Sequence, residues 1–256
     1  MKIGISTASL SRLETEDALS LLKEVGAEAA EVYLKTFYEY RPEFAKKFAG
    51  RSGVEVKSIH VNPLNFESQL FYPSRRERGD GFYWLDQVLR SAQLFGAKNY
   101  TFHGFVRKYG EDDFDYIAER LCEIANFCAR YGVNLSLENV WWATYNRPSV
   151  FKELKSRCPQ LSGVFDLKQA RKSGYPYQMF IKDMEGAIAA VHISDFDGSG
   201  KTCLPGKGAC DFKEVFSRLK DAGFDGDVFI ECGSFKEIEE LKNSVQFLKE
   251  IVYNVK

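Results

Sequence analysis

Four junctions constrain this chain more than anything else in it. Val25-Gly26-Ala27, Phe95-Gly96-Ala97, Tyr131-Gly132-Val133 and Ala222-Gly223-Phe224 each place a glycine after an amphipathic run and just before a short apolar one. Glycine takes the left-handed conformation that closes a helix without a Cβ penalty, so each junction reads as a helix end feeding a strand. Repeated, that step marks βα units and a parallel sheet. Strands are expected near Lys2–Ser6, Ala30–Leu34, Val56–His60, Asn99–His103, Asn134–Glu138, Ser162–Asp166, Ala189–Ser194 and Asp227–Cys232. Helical patterns fill the intervals, among them Phe82–Phe95, and Ile238–Val252 closes the chain.

Eight strands in 256 residues match one (β/α)8 TIM barrel, for which roughly 250 residues is typical. A doubly wound open sheet shares the alternation. The count of eight, and the lack of a Gly-x-Gly-x-x-Gly loop after the first strand, favour the barrel. No linker or low-complexity stretch divides the chain, so residues 1–256 are expected to form a single domain.

Composition excludes some classes of function. The formal net charge is -1 and there is no long basic run, so no nucleic-acid partner is expected. No stretch approaches the roughly 20 apolar residues of a membrane span. The start, Met1-Lys-Ile-Gly-Ile, reads as a strand rather than an apolar leader. Six cysteines show no C-x-x-C spacing, and Cys122 and Cys128 read as small buried hydrophobes. The expectation is a cytoplasmic protein.

The strand ends carry the chemistry. All three histidines close a predicted strand: Ser-Ile-His60, Tyr-Thr-Phe-His103 and Ala-Val-His192. Three further strands close in a carboxylate: Leu-Ser-Leu-Glu138, Gly-Val-Phe-Asp166 and Val-Phe-Ile-Glu231. In a parallel barrel the C-terminal ends of all strands share one face. Taken singly, a strand-end glutamate could cap a helix or pair with a lysine, and a lone histidine could be a satisfied core residue. Glu138, Asp166, His192 and Glu231 on strands five to eight make four such coincidences a poor explanation. Three carboxylates and one imidazole form a hard, mostly oxygen site, which favours Mn²⁺ or Mg²⁺ and also accommodates Zn²⁺.

The run His192-Ile-Ser-Asp195, the loop Leu204-Pro205-Gly206-Lys207-Gly208, Asp211-Phe212, and Gly226-Asp-Val-Phe-Ile-Glu231 together resemble the sugar isomerase/epimerase family of xylose-isomerase-like TIM barrels. Ala92-Gln-Leu-Phe-Gly96-Ala97 and Leu135-Ser-Leu-Glu138-Asn139 match the same pattern upstream. The resemblance spans essentially the whole chain. It implies one divalent metal held by Glu138, Asp166, His192 and Glu231, with Glu138 and Glu231 also acting as acid/base groups on opposite faces of a carbohydrate substrate. The wider group includes endonuclease-IV-like phosphodiesterases and inosose dehydratases, and these stand as the alternatives.

This chain departs from the family pattern at three places. Where many relatives carry His three residues after the strand-six Asp, it has Gln169, a hydrogen-bonding group but a poor metal ligand. Where endonuclease-like members have a further His before the Pro-Gly-x-Gly loop, the nearest candidate is Cys203. Where ketose 3-epimerases have an Arg, it has Gly198. A single metal is therefore expected. His60, His103, Gln169, Trp141 and Lys207 are assigned to substrate contact. Trp141-Trp142 and Tyr145 could supply aromatic faces for a sugar ring or pack the rim, and Glu31 could join the site or pair with a nearby Lys or Arg. Arg75-Arg76-Glu77-Arg78 reads as a solvated run. A homo-oligomer is compatible with all of this.

Overall fold

The structure, a computed structural model, describes residues 1–106 and 114–254. Its strands are β1 (Lys2–Ser6), β2 (Ala29–Leu34), β3 (Glu55–Val61), β4 (Asn99–Phe102), β5 (Asn134–Glu138), β6 (Ser162–Asp166), β7 (Ile188–Ile193), β8 (Asp195–Phe196), β9 (Thr202–Cys203) and β10 (Asp227–Ile230). Eight of them close into a parallel barrel in the order β1-β10-β7-β6-β5-β4-β3-β2. The other two, β8 and β9, make a small antiparallel hairpin in the loop after β7. The expected (β/α)8 TIM barrel is the observed fold.

Helices α1 (Thr15–Leu21), α2 (Pro42–Phe48), α3 (Arg75–Phe95), α4 (Phe114–Ala129), α5 (Val150–Arg157), α6 (Leu167–Ser173), α7 (Tyr177–Asp183), α8 (Phe212–Asp221) and α9 (Ile238–Asn254) run between or after the barrel strands. Gly96 ends α3 at φ 81° and its N–H donates back to Ala92 and Gln93, the left-handed stop that the sequence calls for. Gly26, Gly132 and Gly223 share the positive φ. Among the described residues, no helix is long and apolar enough to cross a membrane.

Two differences from the sequence reading bear on the loops and the site. Helix α3 starts at Arg75 rather than Phe82, because the Ser74 hydroxyl accepts from the Glu77 N–H and caps the charged run into a first turn. Helix α6 has no counterpart in the sequence reading. It begins directly after β6 because Asp166 is at once the last strand residue and the helix cap, accepting from the Gln169 N–H at 2.7 Å.

Successive strand residues point to opposite faces, and that sorts the core into two parts. Outward residues such as Ile5, Val32, Ile59, Phe102, Leu137, Phe165, Val191 and Ile230 belong to the main apolar core, together with the inner faces of the helices. At roughly 1.5–3 kcal/mol per fully buried side chain of this kind, this layer dominates stability. The barrel interior holds a separate, smaller cluster of Ala29, Val164, Ala190 and Phe229. Two residues further along stand Glu31, Asp166 and His192 in the same strands and Glu231 just past the end of β10. Alternation thus places a charged layer directly above an apolar plug.

Candidate metal centre

His192 sits at the middle of the charged layer and is fully buried. Its Nδ1 lies 3.6 Å from Glu138 Oε1, 3.6 Å from Glu231 Oε2 and 3.9 Å from Asp166 Oδ2. One ligand atom from each of the four lies within 4.8 Å of all the others. The structure therefore brings together the whole ligand set read from the strand ends.

Neighbouring groups orient each member. On its other side, His192 Nε2 stands 3.1 Å from Glu31 Oε2, so Glu31 accepts the Nε2 proton and turns the Nδ1 edge toward the carboxylates. A carboxylate behind an imidazole is the usual support of a metal-bound histidine. Glu31 is fully buried and also accepts from Thr101 Oγ1 at 2.6 Å. Its partners are thus two histidines, His192 and His60, and a threonine of the barrel interior rather than a lysine or arginine. Asn139 ties β5 to β6: its amide donates to Asp166 O at 2.9 Å, and its Oδ1 accepts from Asp166 N at 2.7 Å. With Asp166 Oδ1 taken by the Gln169 N–H, Oδ2 is left facing His192.

The fit to a cation rests on what these atoms lack. Glu138 Oε2, Asp166 Oδ2 and His192 Nδ1 are buried and meet no hydrogen-bond partner among the described residues. A buried, unpaired carboxylate oxygen is costly, and a divalent ion held here would relieve all three atoms at once. Titration behaviour agrees. Burial, reinforced by the charges of Glu138 and Glu231, pushes Asp166 up to about 8. Burial opposes the charged form of His192, yet Glu31 and Glu231 hold it well above the usual imidazole range. Burial likewise disfavours charge on Glu231, but Lys168 and His192 hold its carboxyl below the ordinary range. Asp166 and His192 thus favour their protonated forms, while Glu231 keeps its charge.

His60 and His103 form a second group with Glu138, again with one ligand atom from each within 4.8 Å of the others. Their Nε2 atoms face each other at 2.9 Å. Behind His103, Glu67 accepts at Nδ1 at 2.9 Å and also takes the Tyr100 hydroxyl at 2.7 Å. Behind His60, Nδ1 lies 3.3 Å from Glu31 Oε1. Glu138 belongs to both groups. Glu67, on the 3-10 turn Glu67–Phe71, gave no signal in the sequence: it is one charged residue in a long loop, and only the packing of that loop onto β4 carries it beneath His103.

The other candidates divide between cluster and rim. Gln169 is half-buried beside Asp166, with an unpartnered Oε1. Trp141 is 45% exposed; its neighbour Trp142 is the one that stacks on His103, with centroids 5.8 Å apart and planes at 19°. Tyr145 is fully buried against Phe151 and Phe180, which is the packing role. Lys207 stays at the rim, exposed, and its charge acts on Glu240 of α9. The loop that carries it is tied down by Asp195, whose Oδ2 accepts from Gly206 N at 3.1 Å and Gly208 N at 3.0 Å. A Cβ at Gly208 would strike Asp195 and Phe196 O, so the Pro-Gly-x-Gly motif serves this close approach. Arg78 donates to Tyr72 O and Pro73 O, while Arg75 and Arg76 are exposed on α3. Lys168, unremarked in the sequence, donates to Glu231 Oε2 at 2.8 Å.

Known proteins share this architecture. The family model of the xylose isomerase-like TIM barrel matches residues 19–251. The uncharacterized protein MJ1311 of Methanocaldococcus jannaschii is 28% identical over 140 residues, which are 51% of this chain and 46% of that protein. The chain thus spans about half the length of the curated relative it matches. Among solved structures, a D-tagatose 3-epimerase-like protein superposes with a TM-score of 0.82 at 20% identity, covering 100% of this chain and 98% of the other. An L-ribulose 3-epimerase gives 0.79 at 17% identity, covering 99% and 95%. A probable 3-DHS dehydratase of Bacillus anthracis gives 0.75 at 14% identity, covering 97% and 99%. At these identities the likeness is one of fold.

Proposed function

Because the chain belongs to the xylose isomerase-like TIM barrel family, we propose that it is a divalent-metal-dependent isomerase or epimerase of a small polyhydroxy-carbonyl compound. The observation that carries this reading is the convergence of Glu138, Asp166 and Glu231 on His192 Nδ1, with unpartnered buried oxygens directed inward. A divalent ion held there would polarise a substrate carbonyl and offset the negative charge that develops when the neighbouring proton leaves.

The chain's own groups handle the proton. Glu138 ends β5 and Glu231 directly follows β10, and these two strands flank β6 and β7 in the barrel order. One carboxylate removes the proton α to the carbonyl and the other returns one, each step contributing about 10²–10⁴-fold. Trp142 over His103 makes one wall of the site and would exclude water. Gln169, with its unpartnered Oε1, offers an amide to a sugar hydroxyl, whereas the ring nitrogens of His60 and His103 face each other, Glu31 and Glu67. Mn²⁺ or Mg²⁺ suits the oxygen-rich set and Zn²⁺ is compatible with it.

The test is incubation of metal-loaded protein with ketoses, aldoses and inososes in deuterated water, followed by NMR. Stereospecific deuterium at one carbon supports the reading, and loss of water from an inosose would redirect it to dehydration. A second reading draws on the His60–His103–Glu138 group, which would hold a second cation beside the first and suit phosphodiester hydrolysis. Two metal equivalents per chain, with cleavage of an abasic-site oligonucleotide and no exchange on any sugar, would favour it.

A further inference from the structure

Lys168 stands apart from the ligands, yet among the described ion pairs it supplies the one ammonium that reaches the cluster. Nζ lies 2.8 Å from Glu231 Oε2 and 3.6 Å from Asp166 Oδ2. Those are the same two oxygens that face His192 Nδ1 at 3.6 and 3.9 Å. Nothing local favours the residue there. It occupies the first turn of α6, where a cation opposes the helix dipole, and its side chain is only 20% exposed. Among the described residues, its ion-pair partners are the carboxylates of Glu231 and Asp166.

We propose that Lys168 is a tethered competitor of the divalent ion: both claim Glu231 Oε2 and Asp166 Oδ2, so the lysine sets how tightly the ion is held. The inference rests on the metal-centre reading above. A +1 charge a few ångströms from a +2 charge in a partly buried site is strongly repulsive, and an ammonium saturating a ligand oxygen must give it up. Lys168 is therefore a positioning residue that trades metal affinity for a preorganised, charge-balanced ligand set.

The experiment is calorimetric titration of chelator-stripped protein with manganese(II) chloride, for the wild type, Lys168→Met and Lys168→Arg. Lys168→Met should tighten manganese binding by about tenfold or more, while Lys168→Arg, which keeps the charge, stays within about threefold of wild type. Without manganese Lys168→Met should melt below wild type, and saturating manganese should raise its melting temperature by more than it raises that of wild type. Should Lys168→Met prove insoluble when stripped, the same comparison on Lys168→Gln decides. Weaker or unchanged affinity in the neutral variant overturns the competition and leaves the metal centre standing. No manganese binding by any of the proteins removes the metal centre itself.

Discussion

The two ends of the barrel interior are built by the same strands and do opposite work. On β2, β6, β7 and the segment through β10, an inward residue of the lower layer is Ala29, Val164, Ala190 or Phe229, and the next inward residue is Glu31, Asp166, His192 or Glu231. The step between layers is about 7 Å of extended chain. Below, the side chains fill volume: Gly4 is glycine because a Cβ there would lie 2.5 Å from Ala29 O and 2.8 Å from the Phe229 ring. Above, the side chains collect charge that the lower layer could not tolerate. The lower end invests in packing, whereas the upper end gives up some stability to hold unpaired oxygens in place.

The comparison breaks if the ends exchange phenotypes. The largest effect is expected above: Glu231→Gln should slow solvent-deuterium exchange by about 10²–10⁴-fold and melt below the wild-type temperature, since it leaves the Lys168 ammonium without its 2.8 Å partner. NMR exchange and circular-dichroism melts check it, and retained turnover would remove Glu231 from proton transfer. Below, Phe229→Ala should cost about 3–5 kcal/mol in urea denaturation and leave turnover per folded molecule nearly intact. A variant that unfolds no more easily, or that folds normally but is inactive, denies the lower layer its packing role.

Ligand removal comes next. Manganese at a hundredfold excess over its Kd should stabilise the protein by about 2.7 kcal/mol, and a chelator should reverse this. The Glu138→Gln/Asp166→Asn pair should abolish the gain and Phe229→Ala should keep it. The smallest effect is at Asp227, at the lower end of β10. Burial raises its carboxyl pKa despite Lys57 and Lys2. With the folded value raised, its stabilising contribution is full below pH about 4 and is lost as pH rises through the folded value. Asp227→Asn should therefore raise the melting temperature slightly at pH 7 and leave it unchanged near pH 3. A difference constant with pH would place the effect outside ionisation.

The four-ligand set was legible because each ligand ends a short apolar run, and a strand's end is a local feature. His60 and His103 were legible for the same reason, although the sequence suggested contacts with substrate and not their meeting at 2.9 Å. Glu31 was visible only as a carboxylate of uncertain partner. Lys168 and Glu67 gave no signal, since one follows a helix cap and the other sits on a loop turn. Trp141 and Trp142 are adjacent, and only the path of the loop decides which ring reaches His103.

By itself, the sequence determined the eight-strand barrel and the residues at its mouth. Glycine stops, apolar period and residue type act over a few neighbours and survive without knowledge of the rest. Tertiary structure alone decided that Glu31, 161 positions from His192, turns its Nδ1 edge toward the carboxylates. It likewise decided that Lys168 bonds Glu231, 63 positions away, because barrel closure and strand register set those distances.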